Sequence, residues 1–256
     1  LILFSLLMAV LPTLSSPANK IAVALLAALA MINVAALLGS RTTYLTLIPL
    51  AIYWLWVYLA SRMRPVRMLL TTVLTVMVVG IAALQAPATQ DRLQSIGKEA
   101  SLYLEQGDAT STGVRLWLWQ HPLTLIEQAP LLGHGLGQWE PRYLQQMESI
   151  TDSQAYHFGH PHQELLLVLA EQGVVGLLTL LLLIGLLLRL SGRLPPAERH
   201  FLRSVLIIYL TAGLANGLMA DFTHRNTFVL LLACIPSVAL MAANRPPLPG
   251  AAHDSR

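Results

Sequence analysis

Long apolar runs separated by short polar connections constrain this chain more than any other feature of its sequence. A helix that crosses the hydrocarbon of a membrane needs about 20 apolar residues, because each residue adds about 1.5 Å of rise. Residues 1–11 fit the end of one such helix. The chain is therefore predicted to be an all-α, polytopic membrane protein with about six or seven transmembrane helices. The full-length runs are residues 21–38, 42–60, 66–84, 165–190, 201–219 and 227–243.

The composition supports a membrane protein and excludes an ordinary soluble domain. Hydrophobic residues make up 55% of the chain and charged residues 11%, with a mean hydropathy of +0.61, whereas soluble domains carry about 25% charged residues. The net charge of +3 does not indicate a nucleic-acid partner, because the basic residues lie between the apolar runs. The single cysteine, Cys234, excludes an intramolecular disulfide.

The distribution of arginine predicts the orientation in the membrane. Arginines concentrate in residues 61–67, 189–203 and 244–256. The predicted transmembrane helices place these three segments on the same side of the membrane, and their arginines indicate that this side is the cytoplasm. The long connection, residues 85–163, carries four basic and eight acidic residues, the bias expected outside. The predicted organisation is transmembrane helices in 1–84, a periplasmic loop domain in 85–163, transmembrane helices in 164–243 and a cytoplasmic tail in 244–256.

The start of the chain and the interior of the long loop give two further expectations. Residues 1–11 lack an initiator Met and a basic segment, so we expect the C-terminal part of a longer protein rather than a signal peptide. In the loop, residues 111–128 have helical spacing, residues 130–137 are rich in turn formers and residues 139–147 fit a short helix. Its tryptophans and tyrosines suit a domain resting at the membrane interface.

Two arginines on the predicted outer side are candidates for binding an anion. Arg41 ends the motif Gly39-Ser40-Arg41 at the outer boundary of a predicted helix, and Arg115 precedes two tryptophans. A guanidinium group matches phosphate oxygens with two parallel hydrogen bonds. The alternatives are an arginine that anchors a helix end for Arg41 and a solvated helix charge for Arg115.

Three histidines precede the apolar run 165–190, in the segment His157-Phe158-Gly159-His160-Pro161-His162-Gln163-Glu164. Pro161 suits the first turn of a helix, and the dipole there would keep His162 neutral and able to act as a general base. A zinc site and a purely structural role are the alternatives. Two other polar segments are possible sites. Residues 133–137 fit a tight turn better than a phosphate-binding loop. Residues 221–226 are predicted to form a polar turn, which either borders a ligand site or is merely solvated.

Taken together, these motifs resemble the O-antigen ligase and polymerase superfamily. The resemblance rests on Gly39-Ser40-Arg41, Arg115-x-Trp117, the segment 130–137, His160-Pro161-His162-Gln163-Glu164 and Glu171-x-Gly173. Their order, spacing and predicted side agree with the family, over about residues 25–228. Here Gln163 follows the key histidine, where the family usually has Asn.

The resemblance implies a glycosyltransferase of the bacterial inner membrane, multi-pass, with its active site facing the periplasm. Such enzymes need no cofactor, metal or nucleotide. They move a glycan from undecaprenyl diphosphate to an acceptor hydroxyl, which in a ligase belongs to the lipid A core. By the resemblance, Arg41 and Arg115 bind the donor diphosphate and His162 is catalytic, with His160 as a second candidate. The implied partners are the lipid-linked glycan, the acceptor and membrane lipids, and not nucleic acid.

Other readings remain open at this point. Within the same chemistry the acceptor could be another glycan repeat, as in an O-antigen polymerase, or a protein, as in a protein O-oligosaccharyltransferase. A different class is a transporter of lipids or solutes, although its charges would be expected near the middle of broken helices. A truncated, inactive fragment is the third alternative.

Overall fold

A computed structural model of the chain describes residues 1–33, 41–60, 62–85, 87–106, 111–148 and 159–243. These residues form α-helices joined by turns, and none of them lies in a β-strand. The predicted all-α fold class is therefore confirmed. The α-helices of the described ranges are α1 (Ile2–Val10), α2 (Pro17–Ile32), α3 (Arg41–Ala60), α4 (Pro65–Gln85), α5 (Pro87–Gln106), α6 (Ser111–Gln128), α7 (Trp139–Glu148), α8 (Glu164–Ser191), α9 (Pro196–Gly213) and α10 (Phe222–Ala243).

The apolar helices follow the predicted runs, with one clear error. Helices α3, α4, α8 and α10 match the predicted segments 42–60, 66–84, 165–190 and 227–243, apart from an earlier start for α10. Helix α2 begins before the predicted segment 21–38, whose residues 34–38 lie outside the described residues. The prediction for 201–219 is wrong at both ends, because α9 begins at Pro196 and ends at Gly213. Pro196 stabilises the earlier start, since proline is well suited to the first turn of a helix. Residues 214–221 form turns instead of a last helical turn.

Within the described ranges, one helix is long and apolar enough to cross a membrane by length and composition. This is α8, with 28 residues. The other apolar stretches found among the described residues are shorter, as in residues 45–60 of α3. The number of membrane crossings therefore stays a prediction.

Two side-chain hydrogen bonds fix α3 and α9 in an antiparallel arrangement. Near the end of α3, the Tyr53 hydroxyl lies 2.7 Å from Nδ1 of His200, in the first turns of α9. At the opposite end, Asn216 donates from Nδ2 to Oγ1 of Thr42 at 3.1 Å. The arginine-bearing connections 62–64 and 192–195 consequently lie at one end of the helices. Residues 159–163 and 214–221 lie at the other, as the predicted alternation requires.

The segment predicted as a loop domain is more helical than expected. Helices α6 and α7 are found where the sequence predicts them, but α5 (Pro87–Gln106) was not predicted. The sequence of α5 does contain a pattern typical of a helix, with apolar residues three or four positions apart at Leu93, Ile96, Ala100 and Leu104. Polar residues surround this stripe, so the segment resembles a loop by composition alone.

Aromatic residues of this segment form a core rather than an interface belt. Trp139 and Tyr143 of α7 are 1% and 0% exposed, and their rings stack with centroids 5.3 Å apart. They pack with Leu118 and Leu125 of α6 and with Leu167 of α8. The expectation that aromatic side chains here rest on the membrane is therefore wrong for these two. Burying them attaches α6 and α7 to α8.

A break in α8 provides the attachment point for residues 130–137. Gly173 has φ 63° and ψ −162°, which interrupts the helix. In a straight helix the N–H of Val174 would donate to the carbonyl group of Ala170. The N–H of Val175 would likewise donate to the carbonyl group of Glu171. The break at Gly173 removes both hydrogen bonds. The loop supplies the missing partners through His134 N–H to Ala170 O (3.1 Å), Gly135 N–H to Glu171 O (2.8 Å), Val174 N–H to Pro130 O (2.9 Å) and Val175 N–H to Leu131 O (3.1 Å).

This exchange requires glycine on both sides of the contact. A Cβ on Gly173 would collide with the backbone of Leu131, and one on Gly133 would collide with the backbone of Glu171. Both glycines also have positive φ, which other residues adopt only at a cost. The Glu171 side chain adds a further link by accepting from Trp139 N–H at 3.1 Å. The motifs 130–137 and Glu171-x-Gly173 therefore form one structural unit.

We expect Gly173→Ala to destabilise the protein more than Gly185→Ala. An alanine at Gly173 is strained by about 1–3 kcal/mol before the collision with Leu131 is added. Gly185 lies in the same helix, and a Cβ there meets nothing within 4 Å. Thermal unfolding of the detergent-purified variants measures the difference. Equal melting temperatures for the two variants would contradict the structural role of the break.

Candidate functional site

The histidine segment precedes α8 instead of forming its first turn. The helix begins at Glu164, with Gln163 as the N-terminal cap whose side chain accepts from the N–H of Leu166. The prediction that Pro161 occupies the first helical turn is therefore wrong. The helix starts at Glu164, three residues after Pro161, because the side chain of Gln163 accepts a hydrogen bond from a free N–H of the first turn and so caps the helix there. Pro161 is instead buried before the helix.

His160 and His162 form a compact turn in which they have different roles. His162 adopts a left-handed backbone with φ 51°, and its N–H donates to Nδ1 of His160 at 3.2 Å. The two rings meet edge to face with centroids 4.4 Å apart. Because Nδ1 of His160 accepts this hydrogen bond, the proton of the neutral His160 ring is on Nε2. His160 is therefore occupied in holding the turn.

The surroundings of His162 favour its neutral form. Burial lowers its pKa, and the positive charge of Arg115 on α6 lowers it further. The side chain of Asn216 acts in the opposite direction. The sequence attributed a neutral His162 to the dipole of α8, but burial and Arg115 are the causes in the structure. His162 and Arg115, far apart in sequence, are thus close enough to interact.

His160 is also held in its neutral form, by a different set of neighbours. Burial and the adjacent His162 lower its pKa, while the Asp221 carboxylate opposes them. The ring packs directly against Gly217, where a Cβ would lie 2.9 Å from Nδ1. Any larger residue at this position would displace the ring. Gly217 therefore allows the α9–α10 connection to lie against the histidine turn.

The connection between α9 and α10, residues 214–221, is anchored by the buried carboxylate of Glu164. Glu164 is 9% exposed and accepts from Met219 N–H at 3.0 Å and from the N–H of Leu218. Its Cβ also lies close to Gly213, at the end of α9. A buried carboxylate is stabilised when backbone N–H groups satisfy its oxygens. Glu164 thus links the start of α8 to residues 214–221.

Asn216 joins this connection to α3. Its Nδ2 donates to Thr42 Oγ1 at 3.1 Å, and its side chain is one of the groups that influence the pKa of His162. Thr42 immediately follows Arg41, the first residue of α3. The backbone of Arg41 therefore lies near the same end of the molecule as His162 and Arg115. The site brings together three segments that are distant in sequence.

The predicted polar turn 221–226 is wrong for most of its residues, because α10 begins at Phe222, although Asp221 lies near enough to His160 to influence its pKa. Asp221 Oδ1 accepts from the His224 N–H at 2.9 Å and lies 2.7 Å from its Nδ1. These hydrogen bonds lower the pKa of Asp221. The side chains of Asp221 and His224 are 48% and 57% exposed. Both side chains are therefore exposed to solvent, and they hydrogen-bond mainly to each other.

An open cavity of about 440 Å³ adjoins the site between α1, α3 and α9. Its polar lining includes Thr42, Thr43, Thr46, Asn216 and His224, and residues of α1 and α9 contribute apolar lining. This combination suits a ligand with both polar and apolar parts. Among the described residues, no three histidine, cysteine or carboxylate side chains come together as metal ligands. His157 lies outside the residues that the structure describes.

Comparison with known proteins identifies the family. The profile of the O-antigen ligase family matches residues 26–181, more than half of the chain. The chain belongs to the O-antigen ligase family. A protein of Haemophilus influenzae (strain Rd) described as uncharacterized is 30% identical over 121 residues, which cover 45% of this chain and 30% of the relative. The match thus spans less than a third of the length of that relative.

Membership in the O-antigen ligase family confirms the resemblance found in the sequence. The family is integral to membranes and its members have a role in glycan transfer, which agrees with the apolar α8. The matched region includes Arg41, Arg115, His160 and His162. Residues 214–221, which contact the two histidines, lie beyond it. Their contribution therefore comes from the structure alone.

Asn216 is the residue of the site that the sequence analysis missed. It was included in the predicted apolar run 201–219, where a single amide did not alter the pattern. The signal was its polarity, because a side-chain amide inside a membrane-type run needs a hydrogen-bonding partner. The identity of that partner could not be predicted, since Thr42 is 174 residues away.

Replacing Arg115 should change the pKa of His162 in a direction fixed by charge. Arg115→Gln removes a positive charge that disfavours the imidazolium ion, so the pKa of His162 should rise. Arg115→Lys retains the charge and should leave the pKa low. Histidine NMR chemical shifts followed over pH measure both. Arg142→Gln, on α7, is the control that should have no effect, and an unchanged pKa in Arg115→Gln would contradict the proximity of the two groups.

Proposed function

We propose that the protein is a metal-independent transferase that moves a glycan from undecaprenyl diphosphate to an acceptor hydroxyl, most directly that of the lipid A core. One observation carries the proposal: His162, in its neutral form, lies within the field of Arg115, at the end of the molecule where α3 begins with Arg41. Membership in the O-antigen ligase family supplies the class of reaction. The donor, the acceptor and the roles of the three residues are proposals.

The reaction needs a base for the acceptor and positive charge for the leaving group. In the proposed step the acceptor oxygen bonds to the anomeric carbon as the bond from that carbon to the diphosphate oxygen breaks. His162 takes the hydroxyl proton, and undecaprenyl diphosphate leaves with the bonding electrons. Arg41 and Arg115 bind the diphosphate and stabilise its growing negative charge. Atoms and charges balance without a nucleotide or a metal ion.

The geometry favours His162 over His160 as the base. Nδ1 of His160 accepts the N–H of His162, so protonating that nitrogen would break the turn. The field of Arg115 keeps His162 neutral near the pH of the periplasm. Once undecaprenyl diphosphate has left Arg115, the same charge opposes a protonated His162, which helps the proton to leave before the next transfer. One arginine thus serves both the donor and the base.

We further propose a multi-pass protein of the inner membrane with residues 85–163 in the periplasm. The antiparallel α3 and α9 support this, because they separate the arginine-bearing connections from the histidine turn. The excess of acidic residues in 85–163 agrees with an outer location. Both lipid-anchored substrates would then meet the site in one plane, which favours their reaction.

Labelling of single cysteines tests this orientation. In a Cys234→Ser background, Leu136→Cys lies in the 130–137 loop and Arg193→Cys in the connection between α8 and α9, and both native side chains are exposed. In intact spheroplasts a membrane-impermeant maleimide should label only Leu136→Cys. Arg193→Cys should react only after the membrane is permeabilised. The reverse pattern would invert the proposed orientation.

Substitution of the two histidines tests the catalytic proposal. We expect His162→Ala to lower the transfer rate by about 10² to 10⁴-fold, the usual contribution of a general base. His160→Ala should cost less, because it disturbs the turn without removing the base. Purified protein with lipid-linked glycan and lipid A core as acceptor provides the assay, with a glycan repeat and a serine-bearing peptide as alternative acceptors.

The same assay has a result that would overturn the proposal. Transfer should be unaffected by EDTA, since no step requires a metal ion. Loss of transfer with EDTA and its recovery with zinc would replace the general base with metal catalysis. Full activity of His162→Ala would remove His162 from the mechanism. Transport of the lipid-linked glycan without any transfer would favour the transporter alternative.

A further inference from the structure

We propose that a polar pocket between α6 and α7 binds an acidic sugar of a glycan substrate, at a distance from the reacting groups. The pocket is open and has a volume of about 420 Å³. It is lined by Leu125 and Gln128 of α6 and by Arg142, Gln145 and Gln146 of α7. The proposal rests on the proposed function, because the glycan that takes part in the transfer is the ligand that the pocket would receive.

Arg142 gives the pocket its positive charge and is not neutralised by the protein around it. Its Nε is buried without a hydrogen bond, and no carboxylate of the described residues forms a salt bridge with it. Glu127 and Glu140 are near in sequence, but both are exposed and neither lines the pocket. A buried donor without a partner lowers stability, so its presence in a pocket indicates a ligand that completes it.

The amide side chains that surround Arg142 favour a sugar over a simple anion. Each amide has two N–H donors and one carbonyl acceptor, and sugar hydroxyl groups both donate and accept. Gln128 and Gln145 are exposed to the pocket solvent. A guanidinium group binds a carboxylate through two parallel hydrogen bonds. A neutral sugar would leave the guanidinium without a partner, and a free anion would leave the amides unused, whereas a sugar with a carboxylate matches both.

The two helices that form the pocket are held rigidly against each other. Leu125, which lines the pocket, packs in the same core as Trp139 and Tyr143 of α7. The carbonyl oxygen of Leu125 also lies 2.9 Å from Nε2 of His134, in the loop that bonds to the break in α8. The pocket is therefore formed before a ligand binds, which reduces the cost of ordering its side chains.

The position of the pocket on α6 relates it to the proposed reaction site. Arg115 and Leu125 belong to the same helix, and their separation in sequence corresponds to about 15 Å along its axis. A glycan whose reacting end lies near Arg115 can reach the pocket through a few linked sugars. Binding at such a distance holds substrate and transition state equally well, so it lowers KM without changing kcat.

Binding of free trisaccharides tests the pocket without the transfer reaction. The probes are trigalacturonate and the neutral trisaccharide obtained by reducing its carboxyl groups, titrated into the detergent-purified protein by calorimetry. The unaltered protein should bind trigalacturonate about 10-fold or more tightly than the neutral probe, because hydrogen bonds to a charged group are the stronger ones. Arg142→Gln should remove this preference, and Arg142→Lys should retain only part of it, since lysine lacks the planar fork.

Two further variants separate the roles of charge and amide. Arg193→Gln removes one positive charge from the exposed connection between α8 and α9 and should bind trigalacturonate as the unaltered protein does. Gln145→Ala should weaken both trisaccharides alike, because the amide serves hydroxyl groups that both contain. Equal affinity of the unaltered protein for the two probes, or no binding of either, would overturn the proposal whether or not the variants fold. An unchanged preference in Arg142→Gln would also overturn it.

The transfer assay then shows whether the acidic sugar belongs to the donor or to the acceptor. With a uronic acid in the glycan of the lipid-linked donor, Arg142→Gln should raise KM for the donor; with a uronic acid in the acceptor, it should raise KM for the acceptor. In both cases kcat should stay nearly unchanged. A large loss of kcat with both KM values unchanged would overturn the role of a remote subsite. If His162→Ala retains full transfer, the proposed function fails, while the trisaccharide titrations still decide whether the pocket binds an acidic sugar.

Discussion

The structure depends on an exchange of backbone hydrogen bonds at the break in α8. Gly173 opens the helix, and two carbonyl groups and two N–H groups that would have paired with each other bond instead to residues 130–135. Unpaired backbone groups in a buried position would cost several kcal/mol, so the break is stable only with the loop in place. With the loop bound to α8, the packing of Trp139 and Tyr143 holds α6 and α7 against the same helix. Arg115 is carried to His162 by this same attachment.

A second set of contacts, at the start of α8, completes the site from the other side. Glu164 holds residues 214–221 through their backbone N–H groups, and this places Gly217 beneath the His160 ring and Asn216 beside His162. Both sets of contacts involve backbone atoms, which cannot move without unfolding a turn. A base and its charged neighbour can therefore be held in place although they come from separate helices. These contacts hold the imidazole of His162 near the positive charge of Arg115, which favours the neutral form of the ring.

The sequence could predict the features that depend on composition and local pattern. The all-α class and the extents of α3, α4 and α8 follow from the length of their apolar runs, the extent of α6 follows from helical spacing, and the turn at 130–137 follows from its turn-forming residues. The apolar run predicted where α8 begins to within one residue, but placing Pro161 in its first turn was wrong because the side-chain cap at Gln163 starts the helix at Glu164. Helix α5 was missed because its apolar stripe is narrow. The family motifs named His162 and Arg115, but no local pattern could show that the two interact.

The neutral state of His162 illustrates why a correct expectation can have the wrong cause. A helix dipole acts only within the first turn, and His162 lies before that turn with a left-handed backbone. Burial and Arg115 lower its pKa instead, and these depend on the tertiary structure. The distinction has a consequence for catalysis. A dipole is fixed in the helix, whereas the charge of Arg115 would be partly neutralised if this arginine binds the donor diphosphate as we propose. Donor binding would then raise the pKa of His162 and strengthen it as a base only when a glycan is present to be transferred.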